Sequence, residues 1–87
     1  MFAVIFGRPA CPFCVRAKEL AERLTAQRDD FEFRYIDIHE EGISREDLEK
    51  TVGKPVETVP QIFLDQVHIG GFTEFEAHAK AHLGLYD

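Results

Sequence analysis

Apolar and polar positions along the chain divide it into segments of two different periods. Phe2 to Gly7 is an unbroken apolar run rich in β-branched and aromatic residues, the pattern of a short buried strand, and Gly7 stops it. After the loop Arg8-Pro9-Ala10 the period becomes helical. Cys14, Ala17, Ala21 and Leu24 share one face with Leu20 beside them, while Arg16, Lys18, Glu19, Glu22 and Arg23 occupy the other. Pro12 suits the first helical position, where its missing N–H has no partner to lose. That assignment makes Cys11 the N-cap, puts Cys14 in the first turn and carries the helix to about Gln27.

Phe31 to Asp37 alternates and reads as a second strand, and Gly42 breaks the chain. Ser44 is positioned to cap a second helix, with Asp47 as a shortened capping-box partner, and the helix is predicted to end near Gly53. The loop Lys54 to Pro60 follows. Gln61–Leu64 and Val67–Ile69 read as a hairpin turning at Asp65-Gln66, although neither turn residue is Gly. Gly70-Gly71 ends the hairpin. Thr73-Glu74-Phe75-Glu76 then matches a capping box with Thr73 as the cap, and Phe72, Phe75, Ala79 and Leu83 form the buried stripe of a last helix. The order is β-α-β-α-β-β-α. Its strand–helix–strand unit implies a parallel pair and its hairpin an antiparallel one. The expected class is α/β: a four-stranded mixed sheet flanked by three helices, one domain over residues 1–87.

Composition narrows the function. Of the 87 residues 45% are hydrophobic, including eight Phe, enough for a core in a domain this small. The net charge of −6 repels a phosphate backbone, so no nucleic-acid partner is expected. No apolar run approaches the roughly 20 residues that span a bilayer, so no membrane partner is expected either. The N-terminal stretch lacks a basic start and a small-residue cleavage site, which makes a signal peptide unexpected and a cytoplasmic location the expectation. The two cysteines cannot build the multi-bridge framework of small secreted domains. A bridge between them closes a tiny loop and removes little chain entropy. Chemistry explains the pair better than stapling does.

That chemistry follows from position. The thiolate is the nucleophile, and an ordinary thiol, with a pKa near 8.5, is only about 3% ionised at pH 7. A helix N-terminus sets unpaired N–H donors and about half a positive charge beside its cap residue, a setting that brings cysteine pKa values to roughly 3.5–7.5. Cys11 holds this position, and Arg8 and Arg16 add positive field. Cys14 lies one turn deeper on the core side and is expected to keep the higher pKa. Cys11 is therefore the expected attacking thiol and Cys14 the one that resolves the mixed disulfide. A zinc site would need more ligands. His78 and His82 stand four apart, but solvent-facing histidines on the last helix is the simpler reading, and no metal is expected. His39 and His68 receive no role.

With Cys11-Pro12-Phe13-Cys14 set on a strand–helix junction, the chain resembles the glutaredoxins, and among them the short dithiol bacterial type. The resemblance runs over essentially the whole chain through Gly7-Arg8, the Cys11–Cys14 motif, Thr58-Val59-Pro60 and Gly70-Gly71-Phe72-Thr73-Glu74. It implies the thioredoxin fold and a redox-active Cys11–Cys14 disulfide. It also implies glutathione as reducing co-substrate, with no permanently bound cofactor. Cys11 would form the mixed disulfide with glutathione, and the backbone of Val59, before a cis Pro60, would pair with the glutathione cysteine. Thr58 would line the groove, and Gly71 would allow close backbone approach beside Phe72. Thr73 and Glu74 would receive the γ-glutamyl end, and Arg8 the glycine carboxylate. Phe13 stands where many dithiol members have Tyr; an aromatic cover for the sulfur is kept and a hydroxyl contact is lost. The implied partners are glutathione and protein disulfides, ribonucleotide reductase among them, met by a monomer.

Three rivals bear on the same residues. A thioredoxin served by a protein reductase is disfavoured by the loop around Thr73 and the short chain. A module holding a [2Fe–2S] cluster between two chains is disfavoured by Pro12. A redox-inert docking domain would leave the intact cysteine pair without a purpose.

Overall fold

The computed structural model describes residues 1–84. Its elements are β1 (Phe2–Gly7), α1 (Pro12–Gln27), β2 (Glu32–Asp37), α2 (Arg45–Val52), β3 (Gln61–Leu64), β4 (Val67–Gly70) and α3 (Phe72–His82). The sheet order is β2-β1-β3-β4. β1 runs parallel to β2 and antiparallel to β3, which is antiparallel to β4. The expected α/β arrangement of three helices on a four-stranded mixed sheet is therefore the observed one.

Strand alternation sorts β1 onto two surfaces. Ala3 and Ile5, paired with Leu64 and Ile62 of β3, are buried against α1 and α3. Phe2, Val4 and Phe6 face the other way and, with Phe63 and with Thr51 of α2, line an open apolar hollow of about 650 Å³. The core lies between the sheet and the α1–α3 pair. There α1 presents Cys14, Ala17, Leu20, Ala21 and Leu24, the stripe its spacing predicts, and α3 presents Phe75 and Ala79. The small alanines let the two helices lie close to the sheet. Arg28 locks the far end, donating from Nη1 to the Leu83 carbonyl (3.2 Å) and pairing with Asp30 through two N–H groups.

Local signals explain most boundaries. The Ser44–Asp47 capping box forms: the Asp47 amide donates to Ser44 Oγ (3.1 Å) and the Ser44 amide to Asp47 Oδ2 (3.2 Å). Gly53, at φ 86°, terminates α2 in the left-handed conformation glycine tolerates. The hairpin turns at Asp65 and Gln66, both at positive φ (48° and 71°). Asp65 is held there from outside the hairpin, because its carboxylate accepts the Phe2 amide (2.9 Å) and its own amide donates to the Phe2 carbonyl (2.9 Å).

Three boundaries differ from expectation, the smallest difference being at β4, which runs one residue further, to Gly70. β2 begins at Glu32, with Phe31 buried ahead of it as a core residue. The last helix starts earlier than the Thr73 capping box predicts. Its N-cap is Gly71, and the N3 residue Glu74, not Glu76, returns its carboxylate to the cap, accepting the Gly71 amide at 2.9 Å. The physical reason is Gly70. At φ 118° it swings the chain out of β4 so sharply that the helix begins at once, with Phe72 already in the first turn.

Candidate active site

β1 leads straight to the reactive pair. Beyond Gly7 the chain turns through Arg8-Pro9-Ala10, with Ala10 at φ 56°, and enters α1 at Cys11. Cys11 has the extended backbone of an N-cap (φ −114°, ψ 108°), and Pro12 occupies the first helical position, as the sequence requires. The cap interaction is made by sulfur: the Cys14 amide donates to Cys11 Sγ at 3.2 Å. The helix ladder starts at the same place, with the Val15 amide on the Cys11 carbonyl (3.0 Å). Cys11 and Cys14 are joined as a disulfide with a Cα–Cα distance of 5.2 Å. Cys14 is fully buried, whereas Cys11 keeps 6% of its surface exposed. Approach from solvent is thus to the Cys11 sulfur.

Two hollows adjoin here, sharing Phe13, Thr58 and Val59 as their common wall, and Cys11 lines the larger. One, of about 260 Å³, is lined by Phe13, Thr58, Val59, Pro60, Gly71, Phe72, Thr73 and Glu74. The other, of about 470 Å³, runs past Arg8, Cys11 and Phe13 toward Ile43, Leu48 and Val56. The nine ligand-contact residues that the resemblance implies are thereby gathered, eight in the first hollow and Arg8 in the second. The Val59–Pro60 bond is cis, and the Val59 carbonyl oxygen stands 3.7 Å from Cys11 Sγ. Gly71 lies close under Pro60: a Cβ on it would come to 3.4 Å from the Pro60 carbonyl.

Phe13, Phe72 and Glu74 of this lining have local partners. Phe13, half exposed, tilts against Phe72 with ring centroids 6.2 Å apart, and the Arg16 guanidinium lies 5.4 Å from its centre. The two rings form an apolar rim beside the sulfur, with a cation behind it. Glu74 Oε1 is engaged by the Gly71 amide, so this carboxylate both caps α3 and faces the hollow. Thr73 makes no cap and is exposed.

Sequence reasoning missed several residues here. His39, Arg45 and Glu57 stand on the larger cleft, brought there by the loop after β2 and by α2. Gln61 and His68 lie behind the Thr58 segment: His68 Nε2 is 2.7 Å from Gln61 Oε1, and Gln61 Nε2 donates to the Thr58 carbonyl (2.8 Å). The available signal was Gln61 itself, a polar side chain beginning an otherwise apolar strand. Burial holds the His68 pKa below its ordinary value, Lys54 adds to that effect and Glu74 opposes it. Among the described residues no group of three or more His, Cys, Asp or Glu is placed to hold a metal ion, and no helix is long and apolar enough to cross a membrane.

A disulfide pair at the N-cap and first turn of the helix that follows β1, on a thioredoxin-like fold, defines a thiol–disulfide oxidoreductase. The glutaredoxin family model matches residues 3–69. Glutaredoxin 1 of Salmonella typhimurium is 74% identical over 86 residues, covering 99% of each chain. The solution structure of reduced Escherichia coli glutaredoxin superposes with a TM-score of 0.89 at 61% identity, covering 98% of this chain and all of that one. More distantly, a buckwheat glutaredoxin solved as a glutathione complex matches with a TM-score of 0.68 at 26% identity, over 94% of this chain and 72% of that one. The chain belongs to the glutaredoxin family.

Proposed function

We propose that the protein is a glutathione-dependent disulfide reductase acting on glutathione mixed disulfides and on protein disulfides. The observation that carries the reading is the Cys11 sulfur, capping α1 on one hollow and adjoined by a second through Phe13, Thr58 and Val59, with the Val59 carbonyl oxygen 3.7 Å away. In the reduced protein the Cys11 thiolate attacks one sulfur of the substrate disulfide. A new S–S bond forms, and the other substrate sulfur leaves as a thiolate. The Cys14 thiol, losing its proton, attacks the Cys11 sulfur of this mixed disulfide and expels the second substrate sulfur. The substrate has gained two electrons, and the cysteine pair is oxidised to the disulfide seen here. One glutathione reopens that bond through a Cys11 adduct, and a second removes the adduct as glutathione disulfide.

The hollow suits this co-substrate chemically. The Val59 backbone offers strand-like pairing to a peptide, and Thr58 and Pro60 wall the groove. The N-terminus of α3, with Thr73, attracts the γ-glutamyl carboxylate. Glu74 has one oxygen engaged by Gly71 and presents the other to the amino group. Arg8 meets the glycine carboxylate at the opposite end. That a buckwheat relative binds glutathione supports the assignment. On this reading the chain works as a monomer in the cytoplasm, where glutathione is kept reduced, and ribonucleotide reductase is among its protein substrates.

The test separates the cysteines by task. Removing glutathione from a mixed disulfide needs Cys11 alone, whereas an internal protein disulfide benefits from a neighbouring thiol at high effective concentration. Cys14→Ser is expected to keep substantial deglutathionylation, to lose most protein-disulfide reduction and to accumulate as a glutathione adduct visible by mass spectrometry. Cys11→Ser is expected to lose both activities. Equal loss of the mixed-disulfide activity in two folded variants would sink the one-thiol glutathione step and favour a thioredoxin-like enzyme.

A further inference from the structure

Beside the groove, across the Thr58, Gly71 and Glu74 that line both places, lies the one polar side chain that the fold buries among the described residues, Gln61. Its amide is used at both ends. Because the Thr58 carbonyl only accepts, the group facing it at 2.8 Å is the Gln61 NH₂, which leaves Oε1 turned toward His68 at 2.7 Å. His68 Nε2 must then carry the proton. The relay is directional: the His68 N–H donates to Gln61, and the Gln61 N–H donates to the Thr58 carbonyl. It joins β4 to the end of the loop that lines the groove.

We propose that Gln61 and His68 are positioning residues that hold the Thr58–Val59 backbone in the register needed to bind the glutathionyl part of the substrate. The loop from Lys54 to Pro60 lies in no helix or strand; α2 ties its middle, with Glu49 accepting the Val56 amide (2.9 Å) and Arg45 donating to the Val56 carbonyl (2.7 Å), and the Gln61 amide ties its end at Thr58. Thr58 is exposed toward the groove, and the relay pins its carbonyl. The Val59 carbonyl, next in the chain, is the one beside Cys11 Sγ. Hydrogen bonds to a buried amide cannot be dropped cheaply, since a lost partner strands a desolvated group. Removing the His68 donor therefore frees the amide to turn and releases Thr58. His68 also packs on Phe63, with ring centroids 5.1 Å apart, so its donor role must be separated from its shape.

The inference rests on the glutathione reading, and the experiment tells the two apart. One peptide is prepared as a glutathione mixed disulfide and as a 2-hydroxyethanethiol mixed disulfide, and both are assayed with wild type, His68→Phe and His68→Gln. Wild type must prefer the glutathionyl peptide; without that preference the glutathione reading itself fails. Given the preference, His68→Phe is expected to raise KM for the glutathionyl peptide about tenfold, with kcat within about twofold of wild type and the hydroxyethyl peptide unaffected. His68→Gln, which places an N–H near the Nε2 position, is expected to restore KM. An unchanged KM in His68→Phe overturns the proposal, and so does equal impairment by Phe and Gln, which would assign His68 to packing. Should His68→Phe not fold, Gln61→Glu decides. Its carboxylate still accepts from His68 but has no N–H for Thr58, so KM must rise, and an unchanged value overturns the proposal.

Discussion

A thiol at a helix cap differs from the same thiol one turn later because only the cap sulfur meets unpaired amides. Here the Cys14 amide points at Cys11 Sγ, while Cys14 is packed into the core. In the reduced protein Cys11 is therefore expected to ionise well below the ordinary thiol value of about 8.5 and Cys14 at or above it. Thiolate absorbance titrated in single-cysteine variants checks the order; a lower value at Cys14 would reverse the assignment of attacker and resolver. Two neighbouring glycines give a second residue-level contrast. Gly70 sits at φ 118°, and a Cβ there would come to 2.5 Å from Glu74 Oε1, the oxygen that caps α3. Gly70→Ala should combine backbone strain with a disturbed cap and lose about 2–3 kcal/mol in urea unfolding. Gly71→Ala, at φ −102° and with ordinary contact to Pro60, should lose less than about 1 kcal/mol. Similar losses from the two substitutions would refute this account of the β4–α3 junction.

Among the elements, those coded by their own residues were readable in the sequence. The α1 stripe, the Pro12 start and the Ser44–Asp47 box are local, and all three stand as read. The start of α3 was not readable, because two overlapping patterns compete for it. Thr73–Glu76 fits the general capping motif, but the turn at Gly70 selects Gly71 and Glu74. The Asp65-Gln66 turn was located without its cause, which is a bond to Phe2, 63 residues away. The same division runs through the site. The cysteines were legible from local spacing, whereas His39, Arg45 and the Gln61–His68 relay arrive only through tertiary packing and strand pairing. Two predictions belong here. Gln66, at φ 71°, has a conformation glycine adopts without strain, so Gln66→Gly should stabilise the hairpin by about 0.5–1 kcal/mol, read as a higher urea midpoint. In α2 the Ser44 backbone amide and then the Ser44 hydroxyl hold the Asp47 carboxyl below its usual pKa. Such a depressed acid contributes stability above its ordinary pKa and loses it as pH falls through the folded value. The melting temperature of Asp47→Ala should thus lie below wild type at neutral pH and converge on it below about pH 3. A gap that persists in acid would contradict the charged cap.

At the scale of the whole molecule, helices on the two sheet faces are held unequally. The α1–α3 side carries the core, while α2 buries only Leu48 and leaves the Phe2–Phe63 hollow open beside it. Global stability should follow the core side, and its pH dependence should include His68, which joins β3 and β4. Its pKa is depressed chiefly by burial, so near pH 6 the unfolded chain takes up the proton more readily than the folded one. The neutral-form contribution is complete above about 6.5 and declines as pH falls through the depressed folded value. Melting temperature should therefore fall between about pH 7.5 and about pH 5, and His68→Gln should remove part of that slope. Identical slopes in the two proteins would refute the assignment.

The bond between Cys11 and Cys14 spans three positions, and both ends are already fixed by the cap and first turn of one helix. Opening it releases no long loop, so the polypeptide has almost nothing to relearn when the electrons arrive. Waiting time in a catalytic cycle then belongs to sulfur chemistry and to encounter, not to rearrangement of the chain. Disulfides and thiols are exchanged at the same face, and the relative redox poise of the two partners decides which way the current runs.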